Sequence, residues 1–456
     1  MKRLSGILVM LLFVATGYSQ TPKYIFYFIG DGMGPSHVLG TELYLGELQG
    51  VIGRPQKLCF TQFPYSALVT TYSATNGVTD SAASGTALAT GEKTYNGAIG
   101  VEEEKIPVNS IATALDKRGM AIGIATSVPI NHATPAAFYA HNNDRNNYPQ
   151  IATWMEKADF DFYAGSDAKC SDKEREEVYS SARKRGYAIA RGYEEFKKKG
   201  RKAEKMMLFQ EKVATELPYA INRNGDDLTL AQITAAGIEF LSDRSDDGFF
   251  MMVEGGKIDY AAHNDDGATV FNEVLDLNEA VKVAFDFYEE HKDETLIIVT
   301  ADHETGGLVL GYSHDYILNL KALSTQKVSY ERLIEILMSE KETTWGRVSE
   351  IVKENVGVEI RGEHKADEKA VMDENNAKKI AREAIYDINH KAILSWASGN
   401  HSGTYVPLFA IGCGADIFKG VIDNTDIPKK IECLVDPAAS TRSTQGPGHF
   451  GTCNRK

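Results

Sequence analysis

Thr295-Leu296-Ile297-Ile298-Val299-Thr300-Ala301-Asp302-His303-Glu304-Thr305-Gly306-Gly307 is the stretch that decides the fold. Its first part is an unbroken apolar run rich in β-branched residues. That is the pattern of a strand buried on both faces, not of a half-exposed one. Adjacent Asp302 and His303 then stand at the strand end, before glycines, where both can turn towards a site. Strands of this kind belong to parallel sheets covered by helices, so the expected class is α/β. Open α/β sheets place their functional groups at the carboxyl ends of strands.

Other segments repeat the pattern. Tyr24 to Ile29 is a short apolar strand that runs into Gly30-Asp31-Gly32-Met33-Gly34-Pro35. The last glycine of a dinucleotide fingerprint would fall on Pro35, so that motif fails. What remains is Asp31 at a strand mouth, either a turn-former or a metal ligand. Phe249 to Val253 ends on Glu254, followed by Gly255-Gly256-Lys257-Ile258-Asp259-Tyr260-Ala261-Ala262-His263. Asp259 and His263 share one face if this segment is helical, either as a local ion pair or as a ligand pair for a cation. Ala67 to Tyr72 and Ala121 to Ser127 read as further strands. The second leads into Pro129-Ile130-Asn131-His132-Ala133-Thr134-Pro135 and then Asp144-Arg145. Arg145 is a surface charge or a bidentate phosphate clamp, a task that suits a planar guanidinium. Val406 to Ile411 reads as the last strand, with Pro407 pointing to a sheet edge or a strand start.

Val78-Thr79-Asp80-Ser81-Ala82-Ala83-Ser84-Gly85-Thr86-Ala87-Leu88-Ala89-Thr90-Gly91 reads as a helix start, capped by Thr79 or Asp80. Ser81 falls in the first turn, where free backbone N–H groups and the helix dipole favour an anion. Alone, this reads first as an ordinary small-residue helix packed on a sheet. Ile111 to Arg118 and Asp276 to Tyr288 have helical period. Residues 171–217 read as charged helices with solvated faces. Residues of about 325–392 read as a mainly helical insertion that caps the sheet domain.

The chain has 456 residues and a formal net charge of −14. Lys2 and Arg3, the apolar run Ile7 to Ala15 and the small residues Gly17 and Ser19 predict a secretory signal peptide over 1–19. No later stretch reads as a membrane anchor, so we expect a protein exported to the periplasm or the medium. The acidic balance argues against nucleic-acid binding. Five cysteines, Cys59, Cys170, Cys413, Cys433 and Cys453, show no metal-site spacing and leave at least one thiol unpaired. The fold should not depend on a disulfide framework.

Asp31, Ser81, Thr134, Arg145, Glu254, Asp259, His263, Asp302, His303 and His401 mostly follow an expected strand. Carboxylates with imidazoles and no thiolate suit Zn²⁺, and a set of oxygens alone suits Mg²⁺. Here the chain resembles the alkaline phosphatases from about Tyr24 to Gly412. The carrying motifs are Gly30-Asp31-Gly32-Met33-Gly34, Thr79-Asp80-Ser81-Ala82, His132-Ala133-Thr134, Asp144-Arg145, Val253-Glu254-Gly255, Asp259 with His263, Ala301-Asp302-His303-Glu304 and His401-Ser402-Gly403.

The resemblance implies a three-layer α/β/α sandwich with a large, mostly parallel sheet and a helical crown. It implies one zinc on Asp259, His263 and His401, and a second on Asp31, Asp302 and His303, with Ser81 as reacting ligand. A third ion, usually Mg²⁺, would use Asp31, Thr134 and Glu254. Arg145 would grip the phosphate, and Asp80 would orient Arg145. His132 and Tyr260 lie beside the third ion. Relatives vary at both positions, so the identity of that ion stays open. The implied reaction is phosphate monoester hydrolysis of broad range through a phosphoserine on Ser81, with a homodimer as one possible assembly. Phosphodiesterases of the same fold generally lack the arginine. Sulfatases need a C/S-x-P-x-R run that Ser81-Ala82-Ala83-Ser84-Gly85 does not provide. A secreted binding protein would not need the placed serine.

Overall fold

The computed structural model describes residues 21–362 and 364–436. The signal-peptide reading over 1–19, and Cys453, lie outside the described residues. Ten strands form the main sheet: β1 (Tyr24–Gly30), β2 (Tyr65–Thr70), β3 (Ala121–Pro129), β4 (Phe162–Ser166), β5 (Tyr187–Arg191), β6 (Lys205–Phe209), β7 (Phe249–Gly255), β8 (Thr295–Ala301), β9 (Val406–Gly412) and β10 (Gly420–Asp423). Their spatial order is β10-β2-β9-β8-β1-β7-β3-β4-β6-β5. Strand β9 is antiparallel to both neighbours and every other pair is parallel. The fold is α/β, as expected.

The central strands are buried because helices cover both faces. Alternation along β1 sends Phe26 to one face, where it meets Phe287 of the helix Gly267–Glu290 with ring centroids 5.7 Å apart. Tyr27 points the other way, against Phe138 at 5.9 Å. Neighbouring β7 repeats this, Phe249 contacting Phe287 and Phe250 contacting Phe138. With no solvent-facing side, these strands carry apolar residues at nearly every position, Glu254 near the carboxyl end of β7 being the exception.

Register fixes the site. Gly30 of β1 pairs with Gly255 of β7 and with Ala301 of β8, so the three strands end level. Asp31, Glu254 and Asp302 are thereby brought to one line at the carboxyl edge. Because β9 runs the opposite way, the segment entering it lies at that same edge, and it carries His401.

Three readings need correction. Residues 171–217 are not all helical. Helices Asp172–Lys184 and Gly192–Lys199 are present, but β5 and β6 run between and after them. Both strands are five residues long, and Lys205-Met206-Met207-Leu208-Phe209 is built largely from good helix formers. Parallel pairing decides their state. Strand β9 is neither an edge nor the last strand. Pro407 is its second residue, which spares most of the ladder, and β10 follows at the true edge. The amphipathic helix expected from Asp276 begins at Gly267, capped by Asp266, whose carboxylate accepts from Thr269 N at 3.1 Å.

Beyond β8, Val309–Leu310 pairs antiparallel with Leu394–Ser395. Between them lie helices Tyr330–Ser339, Trp345–Val356 and Glu374–Ala392, with a small antiparallel pair, Glu342–Thr344 against Lys369–Val371.

Candidate active site

Ser81 opens helix α1 (Ser81–Thr90). Asp80 caps it in extended conformation, its Oδ1 accepting from Ala83 N at 3.0 Å. The helix is seated by Ser84, whose hydroxyl donates to the Asp302 carbonyl at 2.6 Å. A Cβ on Gly85 would lie 3.1 Å from Thr134 Cα, so the glycine lets the helix approach the segment after β3. Ser81 is thus buried, with Oγ 3.2 Å from His303 Nε2.

Arg145 lies at the mouth. Its Nη1 donates to Asp80 Oδ2 at 2.9 Å, and its Nη2 lies 3.0 Å from His132 Nε2. Gly97 N also donates to both Asp80 oxygens. One carboxylate therefore caps the serine helix and holds the arginine. Burial, then the Arg145 charge, pushes the His132 imidazole down to about 3. Neutral His132 accepts from Arg145 through Nε2, which leaves its proton on Nδ1.

Three clusters of metal-ligating side chains meet here, the ligand atoms within each lying within 4.8 Å of one another: Asp259, His263 and His401; Asp31, Asp302 and His303; and Asp31, His132 and Glu254. In the first, His263 Nε2 is 3.3 Å from Asp259 Oδ2 and His401 Nε2 is 3.6 Å from Asp259 Oδ1. Helix α2 (Lys257–His263) places Asp259 and His263 one turn apart, as their spacing predicted. In the second, His303 Nε2 is 3.4 Å from Asp31 Oδ1 and 3.2 Å from Asp302 Oδ2. The rings of His303 and His401 stack at 3.6 Å between centroids, which sets the two clusters side by side.

Imidazole orientation is fixed from behind. His263 Nδ1 meets the Gly399 carbonyl at 2.8 Å and His401 Nδ1 meets the Thr79 carbonyl at 2.9 Å. Each ring therefore carries a proton on Nδ1 and turns Nε2 inward, the orientation of metal-ligating histidines.

The residues fit cations. Both oxygens of Asp31, Asp302 Oδ2, Glu254 Oε1 and Thr134 Oγ1 are buried without a hydrogen-bond partner. Unpartnered buried oxygens are costly unless something positive sits among them. Burial, then the charges of Asp302, Asp259 and Glu254, pushes Asp31 well above the usual carboxylate range. Burial also lifts Glu254 to about 8 and Asp302 to about 7. Burial would raise Asp259 too, but the His263 hydrogen bond and the neighbouring imidazoles hold it well below its ordinary value.

The site residues singled out from the sequence thus gather at the carboxyl edge of the sheet. Tyr260 stands edge-on to His132, with centroids 5.8 Å apart. Sequence reasoning put His132 beside the third ion and not among its candidate ligands. It also passed over Thr126, which donates to Glu254 Oε2, and Glu304, which accepts from Ser402. Thr126 pairs with Glu254 across β3 and β7, a register no single sequence prints.

The family model described as alkaline phosphatase matches residues 22–164 and 161–436. Alkaline phosphatase 3 of Bacillus subtilis (strain 168) is 30% identical over 426 residues, covering 91% of this chain and 89% of its own. Alkaline phosphatase 4 of the same organism is 32% identical over 355 residues, covering 76% of this chain and 75% of its own. Among solved structures, a cold-active alkaline phosphatase from a psychrophilic Shewanella sp. superposes with a TM-score of 0.79 at 31% identity, covering 91% of this chain and all of its own (100%). The chain belongs to the alkaline phosphatase family and is a phosphoric monoester hydrolase.

Proposed function

We propose that this is an exported, broad-range phosphomonoesterase that works through a phosphoserine on Ser81. The observation that carries the reading is a buried serine at a helix N-terminus beside three ligand clusters, two of which hold buried carboxylate oxygens with no partner, those of Asp31, Asp302 and Glu254. Asp259, His263 and His401 would hold one Zn²⁺, and Asp31, Asp302 and His303 a second, with Ser81. Asp31, Thr134 and Glu254 would hold Mg²⁺, with His132 beside them. When bound, these cations lower the pKa of a coordinated hydroxyl or water and neutralise charge on the phosphoryl group.

The chain does the rest. Deprotonated Ser81 Oγ forms a bond to phosphorus as the ester oxygen departs in line with the P–O electron pair. Water then displaces the serine from the opposite side, releasing inorganic phosphate and restoring Ser81. The N-terminal N–H groups of α1 face the same anion. Arg145, already oriented by Asp80 and His132, offers its remaining N–H groups to the equatorial oxygens of a loose transition state. The segment 1–19 would direct export, and the helices of about 325–392 would cap the sheet domain.

The deciding experiment compares an aryl phosphate monoester with the matching diester at alkaline pH, with and without chelator, then with Zn²⁺ and Mg²⁺ restored. Monoester preference lost on chelation and regained with both metals is expected. Diester preference would mean Arg145 does not reach the phosphate. Absence of turnover despite metal loading would favour a binding protein.

A further inference from the structure

Thr305 is a buried threonine that none of the metal clusters contains. Its Oγ1 lies 2.5 Å from Asp259 Oδ1 and 3.3 Å from His303 Nδ1. Asp259 belongs to one candidate zinc cluster and His303 to the other. A hydroxyl has one proton to give and lone pairs to accept with. A carboxylate oxygen accepts, so the Thr305 hydroxyl donates its proton to Asp259 Oδ1. Oγ1 then accepts from His303 Nδ1–H. That bond leaves the His303 Nε2 lone pair facing Asp31, Asp302 and Ser81. The other two imidazoles are set by backbone carbonyls. His303 is set by a side chain, and that side chain is shared with a ligand of the opposite cluster.

Thr305 is itself clamped. Its N–H donates to the Gly32 carbonyl at 3.1 Å, and it pairs with His401 in the two-residue ladder Glu304–Thr305 against His401–Ser402. Glu304 bonds Ser402 across the same ladder. Gly32, at φ +72°, leaves room for it, because a Cβ there would stand 2.8 Å from Thr305 Oγ1. Thr305 thus touches the loop after β1, helix α2, the end of β8 and the His401 segment.

We propose that Thr305 is a positioning residue whose hydroxyl joins Asp259 and His303, so that both zinc clusters keep their geometry through one shared donor and acceptor. The proposal rests on the phosphomonoesterase reading above. Losing the hydroxyl would leave Asp259 Oδ1 without its donor and the His303 tautomer unset. Removing such an outer partner typically costs about 10- to 100-fold in metal affinity. Here the loss should fall on both clusters together.

The test uses the full chain, stripped with chelator and titrated with Zn²⁺ against a coloured competitor. Spectra of the Co²⁺-substituted protein then report ligand geometry. Thr305→Val keeps the shape and removes the hydroxyl; Thr305→Ser keeps the hydroxyl. The expected result is Zn²⁺ affinity lowered by about 10- to 100-fold at both clusters, with altered Co²⁺ bands, in Thr305→Val. Thr305→Ser should bind like the parent. Should Thr305→Val fail to fold, Thr305→Ala reads the same loss without a second branch. Undiminished binding in the hydroxyl-less variants, loss at one cluster alone, or a Thr305→Ser as weak as Thr305→Val would overturn the proposal. Failure of the unaltered protein to bind Zn²⁺ would overturn the phosphatase reading instead, and this proposal with it.

Discussion

Arg145 is held through both terminal nitrogens, to Asp80 and to His132, and its side chain is only 21% exposed. Little rotamer entropy remains to be lost when an anion arrives. Arg145→Ala should therefore weaken inhibition by inorganic phosphate and kcat/KM for monoesters together, by about 10- to 100-fold, as expected for a charged hydrogen-bonding pair of about 1.5–3 kcal/mol. Unchanged phosphate inhibition would show that the guanidinium does not reach the anion. His263 makes a second, independent point. Its hydrogen bond and ion pair with Asp259 raise it to about 9, against the effect of burial. In the metal-free protein it is protonated at neutral pH, so a cation entering this cluster must expel a proton. Zn²⁺ uptake at pH 7 should release protons, and affinity should rise with pH until about 9. Calorimetry in buffers of differing ionisation enthalpy would detect this release, and an unvarying heat would refute it.

At the scale of elements, Asp80 carries two duties. As N-cap it accepts from Ala83 N, and as counter-ion it holds Arg145. Asp80→Asn keeps an acceptor for the cap and loses the charge. Asp80→Ala loses both. Denaturant melts should place Asp80→Ala about 1 kcal/mol below Asp80→Asn in stability, the usual worth of a cap. Both variants should show weaker phosphate inhibition. The cap was legible because a polar residue before a run of small ones has one local meaning. Strands β1, β7 and β8 were legible for a related reason, since burial on both faces forces an unbroken apolar run. Strands β5, β6 and β10 were not. They lie towards the sheet margins, are four or five residues long, and take their state from the neighbour they pair with. Pro407 left two readings open, a sheet edge or a strand start, and its place as second residue of β9 answers to the second; which of the two holds is a property of the sheet. In the site, individual ligands were readable at strand ends, whereas Thr126 and Thr305 act through partners 128 and 46 residues away.

For the whole molecule, the level strand ends gather more negative charge than the described residues neutralise. This has a consequence for stability that local elements do not share. In the metal-free protein Glu254 is lifted to about 8 and Asp302 to about 7, both above their values in an unfolded chain. Through these two groups the folded state binds more protons than the unfolded state between roughly pH 4 and 8, whereas His132, held down to about 3, and His303, held well below its ordinary value, bind fewer, so the net fall in stability with rising pH belongs above the ordinary imidazole pKa of about 6.5. His263, raised to about 9, acts in the same direction, since its favourable pairing is lost as pH climbs. Asp259 is shifted the opposite way, and its contribution is lost only in strong acid, so it offsets nothing here. Bound cations reverse the sign, because they favour deprotonated ligands, and at about 1,000 times their Kd they add about 4 kcal/mol each. Thermal unfolding of stripped and of Zn²⁺- and Mg²⁺-loaded protein should therefore diverge from about pH 6.5 to about pH 9, the stripped midpoint falling while the loaded one holds or rises. Parallel curves would mean that the unpartnered oxygens of Asp31, Asp302 and Glu254 find another source of positive charge, and that the clusters are not built around cations.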